Sequence, residues 1–138
     1  MNFHEFTVRV RYAETDQMGV VYHGNYAQYF EMGRVEWLRN LGLSYKAMED
    51  AGIMLPVVSL TMNYKKPALY DDLLRVRTIL KKQDGVKIEF DYEIYNDSNE
   101  LLTTGYSMLV FVDMKTKRPT APPDYVREKL APLPPKGE

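Results

Sequence analysis

The chain contains no cysteine. That excludes disulfides, thiol nucleophiles and thiolate metal sites, and it fits a reducing compartment. Histidine is scarce too. His4 and His23 are the only two, and without cysteine they make a poor metal site. No apolar run is long enough to cross a bilayer. The opening Met1-Asn-Phe-His-Glu-Phe-Thr7 lacks the apolar core of a signal peptide. Eighteen Lys and Arg against nineteen Asp and Glu leave a net charge of -1. Bulk charge therefore gives no reason to expect nucleic-acid binding or a membrane surface. Neither a Gly-x-Ser-x-Gly elbow nor a phosphate-binding glycine loop occurs. Together these absences predict a cytoplasmic protein with no metal site.

What remains is an ordinary globular composition, 45% apolar and 27% charged over 138 residues. That length suits one domain with a real core. We expect a single domain over 1–131 and a frayed tail over 132–138, where Ala131-Pro-Leu-Pro-Pro-Lys-Gly-Glu138 closes the chain.

Two periods run along the sequence. Phe6, Val8, Val10 and Tyr12 alternate with polar residues, the pattern of a half-buried strand. Residues 13–25, with Gly19 and Gly24, read as a structured loop. From Tyr26 the spacing becomes helical: Tyr26, Tyr29, Phe30, Gly33, Trp37, Leu38 and Leu41 share a face. Asn25 and Gln28 resemble a capping box, and Gly42 is a natural stop. Gly33 on the apolar face predicts close packing against a sheet. Ser44 caps a second helix over 45–51. Strands follow over 56–66, 73–82, 86–94 and 101–113, with Asp84-Gly85 and residues 96–99 as turns. Pro122-Pro123 opens a last helix that runs through Leu130. Tight turns make the sheet antiparallel. A helix that is apolar over much of its circumference needs that sheet curved around it. The edge strands offer a partner chain a place to extend the sheet.

One stretch carries chemistry: Tyr12-Ala-Glu-Thr-Asp-Gln-Met-Gly-Val-Val-Tyr-His-Gly-Asn-Tyr26. It sets a carboxylate, Asp16, shortly before the start of the long helix. A carboxylate facing the positive end of a helix can act on a carbonyl held between them.

This motif, followed by Tyr29-Phe30-Glu31 and Gly33-Arg34, and with Pro67-Ala-Leu-Tyr-Asp-Asp72 before the third strand, resembles the hot-dog fold acyl-CoA thioesterases. The nearest branch is that of 4-hydroxybenzoyl-CoA thioesterase and the related bacterial enzymes linked to the Tol-Pal system. The resemblance spans nearly the whole chain. It implies an α+β hot-dog fold, an antiparallel sheet wrapped around one long central helix. It also implies sheets joined edge to edge in a dimer, dimers that often form tetramers, and sites at the subunit interface. The substrate it implies is acyl-CoA, with no cofactor.

The catalytic carboxylate of that family falls on Asp16. The amide that polarises the thioester carbonyl falls on His23, with Gly24 beside it. Asp16 acts either as general base or as nucleophile. The His23 imidazole is more readily a packing group than a catalyst. Asn25 is first a helix cap and only second a substrate contact. Tyr22 and Tyr26 are candidates to line an acyl pocket, whereas Tyr29 and Trp37 have the phase of core residues. Glu31 reads as structural, paired with Arg34. Lys65 and Lys66 are candidate partners for the phosphates of coenzyme A, while Arg75 and Arg77 suit cross-strand ion pairs. His4 lies at a mobile N-terminus. Two rivals stay open: an acyl-thioester dehydratase or hydratase on the same fold, and a non-catalytic subunit that binds acyl-CoA. The acyl group, and coenzyme A against acyl carrier protein, are also open.

Overall fold

The computed structural model describes residues 3–133. Its elements are β1 (Phe3–Arg9), α1 (Tyr26–Asn40), α2 (Tyr45–Asp50), β2 (Ile53–Met54), β3 (Val57–Tyr64), β4 (Leu73–Asp84), β5 (Lys87–Tyr95), β6 (Leu101–Val110), β7 (Val112–Asp113) and α3 (Asp124–Leu130). Five strands form one antiparallel sheet in the order β1-β4-β5-β6-β3, and β2 pairs with β7. β4 and β5 turn over two residues, Gly85 and Val86, between paired Asp84 and Lys87, with Gly85 at a φ of 58°.

The helical face read from the sequence is the buried one: Tyr26, Tyr29, Phe30, Gly33, Trp37 and Leu38 all pack inward. Phe30 stacks on Tyr92 with 4.4 Å between ring centroids, and Trp37 meets Phe90 edge-on at 5.0 Å. Gly33 sits directly against β4. A methyl group there would lie 2.4 Å from Thr78 Oγ1 and 3.1 Å from Val76 Cγ1, so no larger residue lets the helix approach this closely. The outer face of the sheet is charged as expected. Glu5 pairs with Arg77 at 2.9 Å and Arg77 reaches Glu93 at 3.6 Å, each such pair contributing about 1 kcal/mol or less.

Several details depart from expectation. β1 begins at Phe3, so His4 is a strand residue paired with Thr78 rather than part of a mobile end. Tyr12 is outside the strand and 78% exposed. The Arg11 N–H is taken by Glu14 Oε1 at 2.9 Å, and the chain curls into a 3-10 turn over Tyr12–Glu14. This is the competition between side chain and ladder for a backbone donor. The final long strand is two: Phe111 leaves the sheet, its N–H bonding Val86 O, and β7 joins β2 instead. Arg34 does not pair with Glu31. It is buried and donates to the hydroxyls of Tyr45 (3.3 Å) and Tyr92 (3.1 Å). Ser44 does cap α2, accepting from Ala47 N–H, and Gly42, at a φ of 81°, follows α1 as expected. Of the expected tail, Leu133 packs against the core, and residues 134–138 lie outside the described residues. Among the described residues no helix is long and apolar enough to cross a membrane.

Candidate active site

Asp16 stands on a small turn. Thr15 bridges Val21, Asp16 N–H donates to Val20 O (2.9 Å), and Gly19 N–H returns to Asp16 O (3.0 Å). The turn closes through Gly19, whose φ of 80° is in the left-handed region. Asp16 Oδ1 accepts the Met18 N–H at 2.8 Å, an Asx turn that fixes the carboxylate. Oδ2 has no protein partner among the described residues, and the side chain is exposed.

Below the turn the loop is clamped to the segment before β4. Val20 bridges Leu69, and Val21 N–H donates to Ala68 O at 2.9 Å. That segment holds itself together through Asp72, whose Oδ2 accepts Leu69 N–H (2.8 Å) and whose carbonyl accepts Val10 N–H (2.9 Å). The Tyr26 hydroxyl accepts Ala68 N–H at 3.3 Å. Burial pushes its ionisation up, which keeps the phenol neutral. The motif at 67–72 is thus a strap that seats the Asp16 loop against β1 and α1.

The start of the helix differs from the sequence reading. A 3-10 turn over His23–Asn25 runs straight into α1, so Asn25 is already helical (φ −78°, ψ −16°) and caps nothing with its side chain. Its Nδ2 donates instead to Glu14 O at 2.8 Å. The first amides of the helical stack are therefore those of His23 and Gly24. Neither has a backbone carbonyl partner among the described residues, as expected of first-turn donors. A side chain on Gly24 would meet the Tyr22 ring at 2.6 Å. The His23 imidazole is exposed and lies between two tyrosines, with centroids 4.4 Å from Tyr22 and 6.4 Å from Tyr64. It has no hydrogen-bond partner among the described residues.

A cavity of about 310 Å³ opens beside this helix start, lined by Val21, His23, Tyr26, Tyr64, Lys65, Lys66 and Pro67. The structure therefore gathers His23, Tyr26, Lys65 and Lys66 around one space. It separates the two lysines by function. Lys66 Nζ is held by Glu100 Oε2 at 2.6 Å, an ion pair that lowers the Glu100 ionisation, while Lys65 has no side-chain partner among the described residues. Asp16 lines a different hollow, with Tyr12, Thr15 and Gln17. Within one chain the carboxylate and the cavity are neighbours but not a single space. No cluster of three or more metal-ligating side chains occurs among the described residues.

Sequence reasoning missed two residues here. Tyr64 donates its hydroxyl to His23 O at 3.1 Å. Its only signal was an aromatic near the end of the 56–66 strand, just before Lys65-Lys66-Pro67. Glu14 is 6% exposed and joins the loop to the helix. A carboxylate two residues from Asp16 in a polar stretch gives no sign of burial.

A five-stranded antiparallel sheet wrapped around one long helix defines the hot-dog fold. Residues 10–130 match the thioesterase-like superfamily, and the chain belongs to it. It is 41% identical over 112 residues to YneP of Bacillus subtilis, covering 81% of each chain. It is 35% identical over 116 residues to the acyl-CoA thioester hydrolase YbgC of Escherichia coli, covering 84% of this chain and 87% of that protein. The crystal structure of DHNA-CoA thioesterase from Staphylococcus aureus superposes with a TM-score of 0.92 at 38% identity, covering 96% of this chain and 91% of that one.

Proposed function

We propose that this protein hydrolyses acyl-CoA thioesters to a free carboxylic acid and coenzyme A. Asp16 is the acid-base or nucleophilic group, and the amides of His23 and Gly24 receive the developing oxyanion. The observation that carries the reading is the pairing of a turn-locked carboxylate, one oxygen free, with unpaired amides at the start of α1. The activities named for YbgC and for the Staphylococcus aureus enzyme support the substrate class.

In the reaction, the carbonyl oxygen of the thioester sits on the two amides. Water adds to the carbonyl carbon as Asp16 takes its proton, or Asp16 itself adds and water then opens the anhydride. The C–S bond breaks with its electron pair on sulfur, and the thiolate leaves as coenzyme A. Charge gathers on the carbonyl oxygen in either route, where fixed donors stabilise it. Lys65 supplies a cation for a phosphate of the substrate, and Tyr22 and Tyr26 border the acyl group.

A second subunit completes this site. The Asp16 hollow and the His23 cavity open separately in one chain, and the edge strand β3 exposes Val57, Val58, Leu60 and Tyr64. A dimer joined along β3 brings a partner's surface beside the His23 cavity, whose wall includes Tyr64 of that strand.

The test is thiol release across short-chain, long-chain and aromatic acyl-CoAs. Asp16→Asn is expected to keep its fold and lose nearly all turnover. A folded Asp16→Asn protein that turns over at the wild-type rate would falsify the assignment. Tight acyl-CoA binding with no thiol released from any member would make this a binding subunit.

A further inference from the structure

Glu14 is a buried carboxylate that the mechanism above does not use. Its side chain is only 7% exposed, and it lines neither the Asp16 hollow nor the His23 cavity. Burying a carboxylate is costly unless donors surround it. Here they do. Oε1 accepts Arg11 N–H and the Tyr29 hydroxyl, both at 2.9 Å, and Oε2 accepts Arg11 Nε and Nη2 at 3.3 and 3.2 Å. The main-chain carbonyl of the same residue accepts Tyr22 N–H at 2.9 Å and Asn25 Nδ2 at 2.8 Å.

These partners are not a random set. Tyr29 is on the first turns of α1, Tyr22 precedes His23, Asn25 follows Gly24, and Glu14 itself is two residues before Asp16. Glu14 is therefore the point where the chain segment carrying the carboxylate is fastened to the segment carrying the open amides. The Asp16 side chain contributes nothing to that fastening, since its own bond stays inside the turn. An apolar side chain at 14 would fill the space but leave the Arg11 N–H and the Tyr29 hydroxyl without an acceptor. The Tyr29 phenol is held protonated by burial and by Glu14 itself, so it remains a donor.

We infer that Glu14 is a positioning residue that sets the distance between the Asp16 carboxylate and the amides of His23 and Gly24, with Tyr29 as its anchor on α1. This inference rests on the proposed roles of Asp16 and those amides. It concerns geometry at the reacting carbon rather than substrate capture, so its signature is in kcat and not in KM.

The experiment measures kcat and KM separately for Glu14→Gln, Tyr29→Phe and the control Ile94→Val, on the acyl-CoA the protein turns over best. Ile94 is fully buried in β5 and lines neither the His23 cavity nor the Asp16 hollow, and its truncation lowers stability. Misplacement of a catalytic group by about 1 Å costs on the order of 10²-fold. The expected result is a fall in kcat of roughly 10- to 100-fold for Glu14→Gln and a smaller fall for Tyr29→Phe, with KM within about twofold of wild type. Ile94→Val should lower the melting temperature and leave kcat alone. Should Glu14→Gln fail to fold, Tyr29→Phe still decides, because it keeps the Glu14–Arg11 pair. Wild-type kcat in both variants, a loss confined to KM, or a matching kcat loss in Ile94→Val would each overturn the inference. Asp16→Asn separates this from the larger reading. If it is inactive while the Glu14 and Tyr29 variants are normal, only the positioning role fails. If it is active, the site assignment fails whatever Glu14 does.

Discussion

Tyr64, the last residue of β3, donates its hydroxyl to the carbonyl of His23 at 3.1 Å. The bond crosses from the edge strand to the first turn of the helical stack and fixes the peptide group that carries the Gly24 N–H. The Tyr64 ring also packs edge-on against Tyr26, with 5.2 Å between centroids. One side chain thus braces both Tyr26 on the cavity wall and the peptide at the helix start.

Removing only that hydroxyl is informative. Tyr64→Phe keeps the ring contacts and releases the His23 carbonyl. A single hydrogen bond of this kind is worth about 0.5–1.5 kcal/mol, so kcat should fall roughly 2- to 10-fold with little change in melting temperature. Steady-state kinetics beside a thermal melt checks it. An unchanged kcat means that the peptide is held without Tyr64.

The two lysines of the cavity should behave differently. Lys66 is occupied by Glu100 and Lys65 is not. Lys65→Ala is expected to raise KM for acyl-CoA about 2- to 5-fold, the scale of one exposed charge pair. Lys66→Ala should do less. Raising the salt concentration should shrink the Lys65 effect, because exposed pairs are screened. Equal effects of the two substitutions would contradict this division.

Alkaline pH tests the core. Tyr92 is buried against Arg34 (3.1 Å) and Ser107 (2.5 Å), and burial pushes its ionisation up to about 12. In the unfolded chain the phenol ionises near its ordinary value of 10.0. Above that pH the unfolded state sheds the proton first and gains. The stabilisation is whole below pH 10, declines from there and is gone once pH passes about 12. Its full size is on the order of 2–3 kcal/mol. Tyr92→Phe cannot titrate, so the wild-type advantage over it should narrow between about pH 10 and about 12. Melting curves across that range measure the gap, and a constant gap contradicts the assignment.

Where side-chain periodicity decides structure, the sequence was readable. The face of α1, the Gly85 hairpin, the close approach at Gly33 and the charged outer sheet all follow from spacing and size. Where a polar side chain competes with the backbone, it was not. Arg11 pairs with Glu14 instead of continuing β1, which moves Tyr12 out of the strand. Asn25 looked like a cap by residue type, yet the helix starts a turn earlier and frees its amide to reach Glu14. Glu31 and Arg34 have the spacing of an ion pair, but two tyrosine hydroxyls from α2 and β5 claim the guanidinium. The motif pointed to Asp16, His23 and Gly24. It did not point to Glu14 or Tyr64, because their roles depend on contacts between distant segments that no local pattern records.

The Asp16 turn is rooted at its base and free at its tip. Bridges at Thr15–Val21 and Val20–Leu69 anchor the root, whereas Met18 at the apex is 83% exposed. The acid takes its bond from a main-chain N–H at position 18, which any residue but proline can provide. Position 18 can therefore be exchanged during evolution without disturbing the bond that holds the Asp16 carboxylate.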